Sequence, residues 1–242
     1  MVPTDNTPEI SIVIPVANEA ANLPGCLARI DRTSTEIIVV DAASDDETVV
    51  LARAAGCEVW PAPQRHRARQ MNLGAIQARG RILLFLHADS WLPPAAPATI
   101  IEAIDRGGAL GGGFARRYRS SSLTLALTSR LAGLRNRFWG WHLGDQAIFA
   151  RRDIFEQLHG YRDLPIFEDL DFSRRLRSLG KTVTLTPPVY SSARRFVPKG
   201  PLRTTWTDLL LTRQYLLGRN PNHLPQAGCQ LRDDRIKATA SS

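Results

Sequence analysis

Short, continuous apolar runs alternate with segments of helical spacing through the first hundred residues. Ile10-Ser-Ile-Val-Ile-Pro-Val16 is a β-rich run that predicts a buried strand, and beyond Asn18-Glu19-Ala20-Ala21 the spaced apolar residues Leu23, Leu27 and Ile30 predict a helix. Glu36 to Val40 predicts a second buried strand. Ser44-Asp45-Asp46-Glu47 then offers N-cap oxygens and first-turn acids to a helix running through Leu51 and Ala55, which Gly56 closes. A third short strand fits Cys57 to Trp60, a helix fits Arg67 to about Ala78, and Ile82 to Leu86 is a fully apolar strand leading into His87-Ala88-Asp89-Ser90.

Four strands alternating with helices imply an α/β fold with a mostly parallel sheet covered on both faces. Ligands of such sheets bind outside the carboxyl ends of the strands. Asn18, Asp41 and Asp89 each fall just past such an end, so three polar residues distant in sequence should converge on one crevice. Beyond Pro97 the alternation loosens: a strand from Ala109 to Tyr118 whose Gly111-Gly112-Gly113 run must let something approach closely, a helix from Leu123 to Leu134, and a short strand from Ala147 to Ala150. A helix from Phe167 to Leu179 closed by Gly180, a strand from Thr182 to Thr186, and an amphipathic helix from Trp206 to Leu217 complete the pattern. The expected organisation is one catalytic domain over 1–225, with a ligand-binding half at 8–100, a second half at 101–200, a C-terminal helix at 201–225 and a mobile tail at 226–242.

The longest apolar runs are five to seven residues, against roughly 20 for a bilayer-spanning helix. The first residues, Met1 to Thr7, carry Asp5 in place of a basic flank, so a cytoplasmic protein is expected. Cys26, Cys57 and Cys229 lack any C-x-x-C pair, which argues against a disulfide framework or a structural zinc site and predicts reduced, buried thiols. The net charge of +8, nearly all of it arginine, admits nucleic acid, an anionic membrane or a phosphorylated ligand as partner and cannot choose among them.

Five motifs in fixed order narrow the choice: Ile14-Pro15-x-x-Asn18-Glu19, Val40-Asp41-x-x-Ser44-x-Asp46-x-Thr48, Asn72-x-Gly74-Ala75, Ala88-Asp89, and Glu168-Asp169-x-Asp171-Phe172. In order and spacing they resemble the family 2 glycosyltransferases of GT-A fold over residues 10 to 180. Arg69-Gln70-Met71-Asn72, Phe85-Leu-His-Ala-Asp89, Gly144-Asp145-Gln146 and Ser192-Ala-Arg-Arg195 further resemble a bacterial subgroup without membrane spans.

The resemblance implies an inverting transfer from a nucleotide-sugar donor, a UDP-sugar by preference, to a sugar, lipid or small-molecule acceptor. Pro15, Asn18, Glu19, Asp41, Ser44, Arg69, Asn72, Ala88 and Asp89 would bind the donor, with Asp41 accepting from the base N–H and Glu19 meeting the ribose. Asp89 stands where the family's D-x-D motif places a ligand to Mn²⁺ or Mg²⁺, and His87 replaces the usual first Asp. His87 would ligate the ion, touch the nucleotide or pack. Asp169 would be the general base, at the positive end of a helix whose inward stripe is Phe172, Leu176 and Leu179. Asp145, Gln146, Glu168, Arg194 and Arg195 would face the acceptor, with Trp139, Trp141 and His142 as pocket walls; Arg65, Arg67, Arg69, Arg194 and Arg195 could each bind diphosphate or acceptor anions, with Arg69 and Arg194 the preferred pair. The Q-x-x-R-W motif of processive members is absent, which favours a single transfer.

Each residue also has a plainer reading. Asp41 and Ser44 would cap a turn, Asp89 or Ser90 would cap a helix, Glu168, Asp169 and Asp171 would be first-turn acids, and the last helix would pack on the domain in place of lying on an anionic membrane. Two competing functions stay open on the residues. A sugar-phosphate nucleotidyltransferase needs a Gly-rich basic loop that Val16-Ala-Asn-Glu19 does not supply, and a nucleic-acid-binding module would use the charge without a recognised motif.

Overall fold

The computed structural model of the protein describes residues 7–224; the tail expected at 226–242, and Cys229 with it, lies outside the described residues. The chain runs β1 (Ile10–Val16), α1 (Leu23–Leu27), β2 (Thr35–Asp41), α2 (Thr48–Ala54), β3 (Glu58–Pro61), α3 (Arg67–Gln77), β4 (Ile82–Phe85), β5 (Ser90–Trp91) and α4 (Ala96–Asp105). It continues through β6 (Gly111–Tyr118), α5 (Leu123–Trp139), β7 (Ile148–Arg151), α6 (Arg152–Gln157), α7 (Glu168–Leu179), β8 (Thr182–Ser191) and α8 (Pro201–Leu216). All eight strands join one sheet in the order β3-β2-β1-β4-β7-β6-β8-β5. β1 to β4 are parallel, as the apolar runs predict; β7 enters antiparallel between β4 and β6, and β6 pairs in parallel with β8.

Period-2 alternation splits the core between the two faces of the sheet. Ile10, Ile12 and Ile14 of β1 join Leu23, Ala52 and Ile100 under α1, α2 and α4. Val13, Ile38 and Leu83 join Met71, Phe155 and Phe172 under α3, α6 and α7. At the α3 contact Gly74 is required, because a Cβ there would lie 2.3 Å from Val13 Cγ1.

Several expected details differ. The glycine run of β6 admits close approach by the protein itself: a Cβ on Gly112 would lie 2.0 Å from the Val183 carbonyl oxygen, and one on Gly111 2.4 Å from that of Phe149. β8 does not stop at Thr186; the ladder with β6 shifts register between Phe114 and Arg116, which skips Pro187 and Pro188 and their missing N–H groups and resumes at Val189. α5 runs on to Trp139 and ends in a left-handed Gly140, and α8 starts early, with Pro201 in its first turn. Leu179 is exposed, so the inward stripe of α7 stops at Leu176. Ser44 caps no helix; its hydroxyl serves the site described next. Cys26 and Cys57 are free and buried, and burial pushes the Cys26 thiol up to about 12. No helix among the described residues is long and apolar enough to cross a membrane.

Candidate active site

Because β7 lies antiparallel between β4 and β6, strands β6 and β8 point the same way as β1, β2 and β4. One edge of the sheet therefore collects the segments after β1, β2, β4 and β8 together with the turn Gly144–Gln146 that feeds β7. Among the described residues, four of the five non-glycine residues with positive φ lie there: Asn18, Ala43, Ala147 and Phe167, each beside a predicted site residue. Backbone held in this sparsely populated region clusters at functional sites.

At the β1/β2 end, Ser44 Oγ donates to Asp41 Oδ1, and Ser44 N–H donates to Asp41 Oδ2 at 3.1 Å. Asn18 N–H donates to Ser44 Oγ at 2.8 Å, while Asn18 Oδ1 accepts from Asp45 N–H at 3.0 Å. Asp41 is thus a nearly buried carboxylate with a fixed orientation and acceptor capacity left over. Gln70, which the motif reading passed over, is buried and donates from Nε2 to the carbonyls of Val16 and Val40, both at 2.9 Å, tying the two strand ends together.

Glu19 and Asp89 meet through Arg194. The guanidinium donates from Nη1 and Nη2 to the two Glu19 oxygens at 2.9 and 2.8 Å, and its Nε lies 2.9 Å from Asp89 Oδ2. Burial opposes the charge on Arg194 and is outweighed by these carboxylates, which raise its pKa. Arg119, stacked 3.9 Å over Trp91, donates to the Asp89 carbonyl at 2.9 Å and fixes its backbone.

Asp169 opens α7 with both oxygens held by backbone: Gly144 N–H donates to Oδ2 and Leu170 N–H to Oδ1, each at 2.6 Å. A Cβ on Gly144 would lie 2.7 Å from His87 Nε2 and 3.3 Å from Asp169 Oδ2, so the glycine keeps a space open between them. His87 Nε2 is buried and without a hydrogen-bond partner among the described residues. Burial, followed by the nearby Arg67, lowers the His87 pKa, which leaves a neutral imidazole. Glu168 is buried; desolvation raises its carboxyl to about 7 even though Arg67 Nη1 donates to it at 3.2 Å. Arg67 reaches solvent through the cleft, and Glu168 and then Asp169 hold it charged against desolvation.

A divalent ion fits this arrangement. Glu19 and Asp89 share one guanidinium, Arg194, and Asp169 lies near a second, Arg67, so these three carboxylates outnumber the two guanidiniums and a diphosphate entering there would need added positive charge. Asp89 offers oxygen donors, and the orphaned neutral His87 offers a nitrogen nearby. Among the described residues no group of three or more His, Cys, Asp and Glu could hold an ion, so a ligand would have to complete the coordination.

Asp145 lies beside this cluster. Arg116 Nη1 donates to its Oδ2 at 2.5 Å, Tyr118 Oη donates to the same oxygen at 3.3 Å, and Oδ1 is buried without a partner. Desolvation, which raises its pKa, is overcome by Arg116 and Arg195, so Asp145 stays charged. A largely apolar pocket of about 360 Å³ is lined by Arg135, Trp139, Trp141, Leu143, Leu170, Thr212 and Leu216, so the residues adjoining Gly144 and Asp169 in the chain form part of its wall.

Other predicted residues fall elsewhere. Arg69 turns outward to Asp163, with donor distances of 2.9 and 2.6 Å, while its neighbour Arg67 faces the cleft. Asn72 staples Tyr161 by two backbone hydrogen bonds, and Gln146, fully buried, donates to the Phe114 carbonyl and accepts from Arg135 and Leu143. Pro15 pairs in register with Val40 on β2, Ala88 is packed in the core, and Arg195 pairs with Asp208 of α8. Asp171 binds Arg175, Arg162 and the Tyr215 hydroxyl, anchoring α8. His142 is buried against Thr184, with desolvation lowering its pKa to about 3. Arg116 carries no local pattern that marks it, and the contacts that define Gly144, marked only as part of Gly144-Asp145-Gln146, and Arg67, one of five candidate arginines, each cross more than twenty residues of sequence.

The model of glycosyl transferase family 2 matches residues 11–197. A PGL/p-HBAD biosynthesis glycosyltransferase of Mycobacterium bovis (strain BCG / Pasteur 1173P2) is 30% identical over 199 residues, covering 73% of this chain and 73% of its own. The undecaprenyl-phosphate 4-deoxy-4-formamido-L-arabinose transferase of Pseudomonas paraeruginosa is 30% identical over 65% of this chain, which spans about half (51%) of that relative. Among solved structures, the mannosyltransferase PcManGT of Pyrobaculum calidifontis, in complex with GDP-Man and Mn²⁺, superposes with a TM-score of 0.66 at 20% identity, covering 89% of this chain and 66% of that one. The fold is the GT-A type expected from the motifs, and the matches favour glycosyl transfer over the nucleotidyltransferase and nucleic-acid-binding readings.

Proposed function

This chain belongs to glycosyl transferase family 2, and from that premise we propose that it moves a sugar from a nucleoside-diphosphate donor to an acceptor hydroxyl in a single inverting step, with Asp169 as general base. The observation that carries the reading is the placement of Asp169: an ionisable group fixed by two backbone N–H groups, facing His87 across the space that Gly144 leaves empty. A base must hold its lone pair on the incoming hydroxyl while the sugar's anomeric carbon is attacked from the face opposite the leaving diphosphate.

The donor lies, in this reading, along the strand ends. Asp41, oriented by Ser44, accepts from the base N–H, and Asn18 and Glu19 flank the ribose. Arg194 exchanges part of its hold on Glu19 and Asp89 for diphosphate oxygens, which match its planar fork. A divalent ion, Mn²⁺ or Mg²⁺, would be held by Asp89 with His87 as the second candidate, and when bound it supplies charge to the departing nucleoside diphosphate. The Pyrobaculum enzyme's complex with GDP-Man and Mn²⁺ supports a nucleotide-sugar donor used together with a divalent ion. Asp145 and Arg116 bound the acceptor side, and Glu168 with Arg67 sets the electrostatics beneath Asp169.

The test is transfer from a panel of UDP-, GDP- and dTDP-sugars in the presence of Mn²⁺. Asp169→Asn is expected to keep nucleotide binding and lose roughly 10²- to 10⁴-fold in turnover, and Asp89→Ala to lose metal-stimulated donor turnover. Undiminished transfer by Asp169→Asn would remove the assigned base.

A further inference from the structure

Two helices expose apolar stripes that the fold leaves uncovered. On α5, Leu123, Leu127, Leu131, Leu134 and Phe138 recur at helical spacing and all face outward, Leu123 at 87% and Phe138 at 69% exposure. On and just past α8, Leu202, Trp206, Leu209, Leu210 and Leu217 do the same, and Leu211 is the one side chain of that helix that is buried. Interior-facing helices show the opposite arrangement, with the apolar stripe turned inward. α5 and α8 touch each other, and the apolar pocket walled in part by Leu143 and Leu170 opens between them.

Arginine is interleaved with these stripes. Arg130 and Arg137 lie on the exposed face of α5, and Arg203 and Arg213 on that of α8. α5 contains no acidic residue, and the one acid of α8, Asp208, is paired with Arg195. Long basic side chains beside exposed leucine, phenylalanine and tryptophan suit a surface that is apolar beneath and anionic on top, since their stems cover apolar area while their heads meet phosphate. A second copy of the chain suits it less well, because a two-fold contact would set the same unpaired arginines against one another. Residues 225–242 offer only Leu231 and Ile236 as large aliphatic side chains, too few to cover both stripes by themselves.

We propose that the α5–α8 face docks on an anionic lipid bilayer, so that a hydroxyl carried on a lipid reaches Asp169 through the pocket between the two helices. The docking stands on these surfaces alone; the acceptor's route rests on the transfer reading above.

Flotation of the whole protein with phosphatidylglycerol vesicles, compared with phosphatidylcholine vesicles, tests the docking. The wild type should float with the anionic vesicles at least ten times more than with the neutral ones, and should be released as salt is raised to about 0.5 M, where exposed charges are screened. Leu131→Ser with Trp206→Ser, and separately Arg130→Glu with Arg213→Glu, should each lower flotation at least tenfold while the melting shift induced by nucleoside diphosphate and Mn²⁺ matches the wild type. The proposal is overturned if the wild type does not float, if both variants float undiminished, or if light scattering finds a dimer that Leu131→Ser with Trp206→Ser dissociates without vesicle binding. Flotation without any nucleotide-induced shift would leave the docking intact and count against the transfer reading.

Discussion

Glu168 and Asp169 are neighbours with opposite surroundings. Asp169 is held by backbone N–H groups at the cleft, whereas Glu168 is buried beneath the solvent-reaching Arg67, and burial raises its carboxyl from 4.5 to about 7. The folded chain therefore keeps a proton that the unfolded chain gives up, so the associated stability is complete below about pH 4.5 and lost as the pH rises through about 7. The difference in unfolding free energy between wild type and Glu168→Gln should fall by about 3 kcal/mol across that window, measured by urea titration at a series of pH values. Gly144→Ala puts a methyl group 2.7 Å from His87 Nε2. It should lower turnover about a hundredfold through misplacement of the base, with nucleotide affinity unchanged in a binding titration. Asp41, Asp89 and Asp169 could be singled out in the sequence because their motifs are local. Gly144 and Arg67 stand in the sequence pattern without their roles, since what defines each role is a contact with a residue many positions away.

Element by element, the strands that end at the site were legible because the apolar runs of β1, β2 and β4, buried on both faces, alternate with helices in the first half. The second half was harder to read. β8 contains two prolines that look like a terminus, and only its partner β6 reveals the bulge that lets pairing resume. Side chains that look catalytic in a motif also serve to hold elements together: Asn72 fastens Tyr161, Gln146 fastens Phe114 and Arg135, and Asp171 fastens α8. Gln70→Ala, which leaves the Val16 and Val40 carbonyls without their donor, should cost roughly 1–3 kcal/mol of stability in denaturant unfolding. It should also weaken nucleotide binding, because those two strand ends carry Asn18 and Asp41.

At the scale of the whole molecule, strand direction brings the site together. One reversed strand, β7, delivers Gly144 and Asp145 to the edge where the parallel strands deliver Asp41, Asp89 and Arg194. The sequence pattern allowed the last helix to pack inward; α8 does pack on the domain through Leu211 and Tyr215, while its other leucines turn outward alongside those of α5, a property of the assembled surface that no single helix discloses. The same assembly leaves the donor end with more carboxylate than guanidinium, so nucleotide and divalent ion should bind together. Differential scanning of the wild type with nucleoside diphosphate and Mn²⁺ tests this most directly. At a ligand concentration about a hundred times Kd, the melting temperature should rise by roughly 5–10 °C, and it should rise less with either component alone. A melting temperature indifferent to every nucleoside diphosphate, with and without Mn²⁺, would contradict the account.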